Sequence, residues 1–170
     1  MWIGAIRLVV STSRAPAAGT DSLVQASVLR DGGALRILNL DYPTEDDLEP
    51  GAIRNYDYSG PTKLPRRNDR TAELPSGIGQ SPMPYPGYGF EFSSGMHGHL
   101  RIRLRIGGDD MWIKDNVDLY VREIRRRATS FDTVAWQEDP DWTYVASWGQ
   151  DVAMSTDASE GTATWTLNLS

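Results

Sequence analysis

Between His99 and Val121 the chain reads HLRIRLRIGGDDMWIKDNVDLYV, and its apolar positions recur every second residue over most of that length. Leu100, Ile102, Leu104 and Ile106 share one side of an extended backbone, with His99, Arg101, Arg103 and Arg105 on the other. A 3.6-residue helix would scatter those apolar residues around its circumference, so only a strand can bury them together. Gly107, Gly108, Asp109 and Asp110 supply turn chemistry, and Val117, Leu119 and Val121 resume the alternation. The pattern predicts an antiparallel pair of strands joined by that turn.

The same period marks the rest of the chain. Ile6, Leu8 and Val10 alternate within a first strand from Trp2, which the polar run Ser11 to Asp21 breaks with Pro16 and Gly19. Val24, Ala26 and Val28 form a second, and Asp31-Gly32-Gly33 reads as a hairpin turn into a third over Ala34 to Leu40. Asp41 to Gly51, DYPTEDDLEPG, gathers five carboxylates around two prolines and is an acidic connection. Asn55 to Ser59 is a short tyrosine-rich strand. Gly60 to Gly89 holds six of the ten prolines and reads as an irregular insertion, after which Phe90 and Phe92 open another strand. Arg122 to Arg127 closes the strand that contains Val121 with a basic cluster, and the mixed segment Ala128 to Trp142 admits a short helix. Trp142 to Trp148 is extended, and Ala163, Trp165, Leu167 and Leu169 alternate in a terminal strand. No repeat and no helix-period stretch competes, so the expected fold is an all-β, antiparallel two-sheet β-sandwich of about eight strands.

Composition narrows the function classes. A chain of 170 residues fits one domain, 1–170, with the insertion at about 60–89 and a less regular segment at 124–141. Its net charge of −6 lacks the basic footprint of a general nucleic-acid binder, so no nucleic-acid partner is expected. Without cysteine, neither disulfides nor thiolate metal sites are available. MWIGAIRLVVSTSRAP lacks the layout of a signal peptide and no run reaches a membrane span, which points to a cytoplasmic protein or part of an assembly. Neither a G-x-S-x-G elbow, nor a P-loop, nor an H-E-x-x-H motif occurs, and no enzyme is expected.

Four stretches taken in order resemble one family. Ala18-Gly19-Thr20-Asp21, with Val24 three residues on, looks like the AGTD-x-x-V signature of PLAT domains, also called lipoxygenase homology domains. Asp46 to Gly51 followed by Tyr56-Asp57-Tyr58 is similar to the family's acidic segment and short strand. Leu100 to Ile106, Met111-Trp112 and Val117 to Val121 resemble a strand, a tryptophan and the next strand, and Trp148 with Ala163 to Leu169 resembles the closing tryptophan and last strand. Residues 60–89 and 124–141 are longer than the family pattern. The resemblance implies an eight-stranded sandwich that targets membrane or protein partners, in some members with calcium bound by loops at one end.

Three groups of residues carry candidate chemistry. Gly19, Thr20, Asp21, Asp46, Asp47 and Glu49 lie in loops that could meet at one end and supply oxygens to calcium, with Asp109 and Asp110 farther along. Aspartate is also common in turns, where it accepts nearby backbone amides, so a solvated acidic patch is the alternative. Arg101, Arg103 and Arg105, with Arg125 to Arg127 nearby, form a basic stripe suited to an anionic partner, either lipid headgroups or an acidic subunit, or else an ordinary polar sheet face. Trp112, at the turn tip, is a candidate partner anchor. His97 and His99 read as a surface pair, since no third ligand accompanies them for zinc. The expectation is a binding module whose partner is a protein or assembly, with a membrane surface and a homo-oligomer as further options. A structural subunit of a larger bacterial or phage-like assembly and a carbohydrate-binding module using loop tryptophans are the alternatives.

Overall fold

The structure, a computed structural model, describes residues 2–30, 33–42, 45–59, 90–91, 100–130 and 133–168. The expected two-sheet antiparallel sandwich is what forms. Eleven strands are described: β1 (Trp2–Thr12), β2 (Val24–Arg30), β3 (Gly33–Asn39), β4 (Ile53–Ser59), β5 (Phe90–Glu91), β6 (Leu100–Ile106), β7 (Trp112–Ser130), β8 (Thr133–Glu138), β9 (Thr143–Ser147), β10 (Val152–Met154) and β11 (Thr164–Asn168). The four-stranded sheet runs β11-β6-β2-β3, and the seven-stranded sheet runs β10-β7-β1-β4 with β5 on β1 and β8 and β9 on β7. The 60–89 insertion, the Asp31-Gly32 turn, Phe92 and the His97/His99 pair lie outside the described residues.

Alternation decides which side of each strand is buried. Ile6, Leu8 and Val10 of β1 face Val24, Ala26 and Val28 of β2 and Ile102, Leu104 and Ile106 of β6 across one core, completed by Val117, Leu119 and Val121 of β7. Tyr56 and Tyr58 on β4 close the edge of this core, and the Tyr58 hydroxyl donates to the Asn39 carbonyl at 2.6 Å.

Three expectations are corrected. β6 and β7 are not paired: β6 has β2 on one edge and β11 on the other, while β7 pairs with β1. The turn at 107–111 therefore carries the chain from one sheet to the other. β7 does not stop at the basic cluster but runs for 19 residues, collecting β10, β9 and β8 in succession along one edge. The segment after Ala128 contains no helix among the described residues, because it supplies β8, which pairs with β7 from Ile124 to Ser130. The strand count rises from about eight to eleven for these reasons.

Candidate functional site

Three connections meet at one end of the sandwich: 13–23 after β1, 40–52 between β3 and β4, and 107–111 before β7. Their backbones are stitched together. Thr20 donates its amide to the Leu48 carbonyl at 3.3 Å, Gly107 to Leu23 at 2.9 Å, and Ile113 to Ala18 at 2.9 Å. Gly19 permits a close approach, since a Cβ there would stand 2.8 Å from the Leu48 carbonyl oxygen and 2.8 Å from Pro50. Gly108, at φ +108°, lays the β6–β7 turn against Ser22, which accepts the Asp110 amide, while the Asp110 carboxylate accepts the Asp21 amide at 3.2 Å.

A cleft of about 550 Å³ opens between the first two of these connections, lined by Asp21, Asp41, Glu45, Asp46 and Asp47 together with the hydroxyl-bearing Thr20 and Ser22. No Lys or Arg is among its described lining residues. The residues expected from the sequence are thus brought to one place: Thr20, Asp21, Asp46 and Asp47 line the cleft, Glu49 is hydrogen-bonded to Asp46, and Gly19 packs beneath on Leu48. Asp41 and Glu45 join them, as two further acids of the same acidic connection. The shared hydrogen bond and charge of Asp46 hold the Glu49 carboxyl above its ordinary range.

Asp47 differs from its neighbours. It is 5% exposed, one of its carboxylate oxygens accepts the Tyr42 amide, and the other has no hydrogen-bond partner. Burial raises its carboxyl above the ordinary range, with the charges of Asp41 and Asp46 adding to the effect. Arg54 lies near enough to oppose that rise electrostatically, but its Nε, like the Tyr56 hydroxyl, is also buried without a partner.

Among the described residues no group of three or more His, Asp or Glu side chains is placed to hold a metal ion.

The second candidate lies on the outer face of the four-stranded sheet. Arg101, Arg103 and Arg105 are exposed there on the inner strand β6, with spacing of about 6.8 Å set by the strand repeat. Register places Thr164, Thr166 and Asn168 of β11 beside them on one flank and Gln25 and Ser27 of β2 on the other. No carboxylate faces the stripe, and the three guanidiniums make no hydrogen bond or ion pair among the described residues. The other sheet treats its cations differently. Arg7 is held bidentate by Asp57 at 2.6 Å for both bonds, Arg122 pairs with Glu138 at 2.9 Å, and the two guanidiniums lie 4.4 and 4.3 Å from the centroid of Trp142. Arg125 belongs to that sheet as well and pairs with Glu123 at 2.9 Å, so it does not extend the stripe. The side chains of Arg126 and Arg127 lie outside the described residues.

Trp112 is not a partner anchor. It is fully buried as the first residue of β7, and its indole N–H donates to the Thr12 hydroxyl at 3.0 Å, so the residue after the turn points inward. Trp148 packs against the core and donates to the Asn168 carbonyl at 2.9 Å, and Trp165 also packs partly buried there.

Fold and site together define an antiparallel two-sheet β-sandwich with an acidic loop end and an arginine face that makes no ion pair among the described residues. No family model and no curated protein matches the chain. Among solved structures it is similar to the alpha toxin from Clostridium absonum, at 14% identity and a TM-score of 0.44, over 91% of this chain and 32% of the toxin chain. The chain thus spans about a third of that toxin's length.

Proposed function

We propose that this chain is a non-catalytic, PLAT-like binding module that docks on an anionic protein or membrane surface through Arg101, Arg103 and Arg105. The observation that carries the reading is the contrast between the two sheet faces: arginines neutralised on one and, among the described residues, without an ion pair on the other. Guanidinium presents a planar fork that matches carboxylate and phosphate oxygens two at a time. The flanking hydroxyls and amides can bond to the same anions without competing charge. Vesicle co-sedimentation with and without phosphatidylserine, alongside polyglutamate binding, tests this. Wild type should bind an anionic target and the Arg101→Gln, Arg103→Gln, Arg105→Gln triple variant should not; equal binding by both proteins would remove the stripe from the account.

A structural subunit of a larger assembly is a second reading, supported by one element. From Arg125 to Ser130, β7 pairs with β8 alone among the described residues, so its other edge can accept a neighbouring strand. Sedimentation velocity separates the two, since the assembly reading requires a multimer. The carbohydrate-binding alternative loses its loop tryptophan with the burial of Trp112.

A further inference from the structure

We propose that the arginine face takes an extended acidic peptide, a strand-like segment of a protein partner with carboxylates at every second position. This inference rests on the docking role given above to Arg101, Arg103 and Arg105, and names the partner that their geometry fits. The three side chains leave one inner strand, β6, at alternate exposed positions, so their spacing of about 6.8 Å is the two-residue repeat of any extended chain. A peptide strand lying along β6 with Asp or Glu at i, i+2 and i+4 brings one carboxylate over each guanidinium without a change of register. A helix offering acids at i, i+4 and i+8 repeats every 6 Å or so, and over three arginines it falls about 1.6 Å out of step.

The rows across the sheet keep the same rhythm. Arg105 stands between Thr164 and Gln25, and Arg103 between Thr166 and Ser27, so each has a hydroxyl or amide neighbour on both sides and an apolar side chain on neither. Such groups can bond the polar atoms of the peptide that the guanidiniums leave free. Total charge separates a peptide from a broad anionic surface. The protein carries −6 overall, which opposes approach to an extended negative plane, whereas a short peptide bears only the few charges that the arginines cancel. Guanidinium forks engage carboxylates two bonds at a time, which fixes register as well as attraction.

Fluorescence anisotropy on the whole chain tests the proposal with two labelled peptides of equal length and charge, one with the core Glu-Ser-Glu-Ser-Glu and the other Ser-Glu-Glu-Glu-Ser. In an extended chain the second turns its middle acid away from the arginines. The alternating peptide should bind about fivefold more tightly than the block peptide. Arg103→Lys, which keeps the charge and loses the fork, should weaken binding of the alternating peptide about threefold, and the triple glutamine variant should bind neither peptide. Equal affinity for the two peptides overturns the proposal, because charge alone would then explain binding, and so does full affinity in Arg103→Lys. Arginine-dependent binding to phosphatidylserine vesicles without binding of the alternating peptide also overturns it, while leaving the anionic docking face in place. Binding of none of these, nor of polyglutamate, overturns both.

Discussion

At the scale of single residues, neighbours along β6 live in opposite environments. Ile102 is fully buried between Val28 and Leu167, so Ile102→Asp places an unpaired charge in the core at a cost of about 4 kcal/mol or more. That variant should show no cooperative melt, while Arg103→Asp, on the exposed face, should stay within about 0.5 kcal/mol of wild type. Circular dichroism and thermal melting decide; equal tolerance at both positions would reverse the assigned faces. Asp47 provides a subtler case. Burial raises its carboxyl in the folded state, so the native protein holds that proton to higher pH than the unfolded chain does. The stability gained from the neutral form is complete below the unfolded value of 3.8 and is lost as pH rises through the folded value. Asp47→Asn should therefore raise the melting temperature at pH 7, with the gain shrinking as pH falls toward 3.8. A gain constant with pH would assign it to packing instead. These faces were legible from alternation alone, but Trp112 was not. It follows Gly107 to Met111 without a run of period two before it, and nothing local says that the strand has already begun.

At the scale of elements, period two tells which side of a strand is buried and is silent on its hydrogen-bonded neighbour. β6 and β7 present matching patterns because each lines the same core from opposite sheets, and a hairpin would show the same pattern. The strands missed were the three-residue β10 and the six-residue β8. β10 is too short for any period to emerge, and β8 follows a segment of mixed residues with no sustained alternation. Lys114 was also unreadable, since an inward lysine looks like a break in the apolar face. It is fully buried on β7, and its ammonium donates to the carbonyls of Asp115, Trp148 and Gln150 at 3.2, 3.0 and 2.6 Å, fastening the segment between β9 and β10 onto β7. Lys114→Met keeps the length of the side chain and removes the donors, so it should cost about 1–3 kcal/mol. Amide exchange should quicken at Gln150, whose N–H bonds to the Asp115 carbonyl beside the lost ammonium. An unchanged melt with unchanged protection at Gln150 would show that the backbone holds this segment unaided.

At the scale of the whole molecule, charge is sorted rather than merely unbalanced. The net charge is −6, yet the outer face of one sheet carries three arginines that make no ion pair among the described residues, while one loop end gathers the acids. The two-sheet sandwich was legible in the alternation, but the sorting could be read only in part. The arginine stripe shows in β6 itself, whereas its neutral flanks come from strands far away in the chain, Gln25 and Ser27 on one side and Thr164 and Thr166 on the other. The sorting has a consequence for docking on an anionic surface. Long-range repulsion of the whole protein opposes approach, and short-range attraction by the stripe holds it in place. The two depend differently on salt. The Debye length is about 30 Å at 0.01 M and about 10 Å at 0.1 M, so a first rise in salt screens the net repulsion across the molecule more than it weakens guanidiniums in contact with oxygens. Near 1 M, at about 3 Å, the contacts are screened too. Binding to phosphatidylserine vesicles should therefore pass through a maximum at intermediate salt, with the triple arginine-to-glutamine variant showing no maximum because its attraction is gone. Co-sedimentation across a salt series measures this directly. A steady fall from the lowest salt upward would mean that the net charge does not oppose docking and that attraction extends well beyond the stripe.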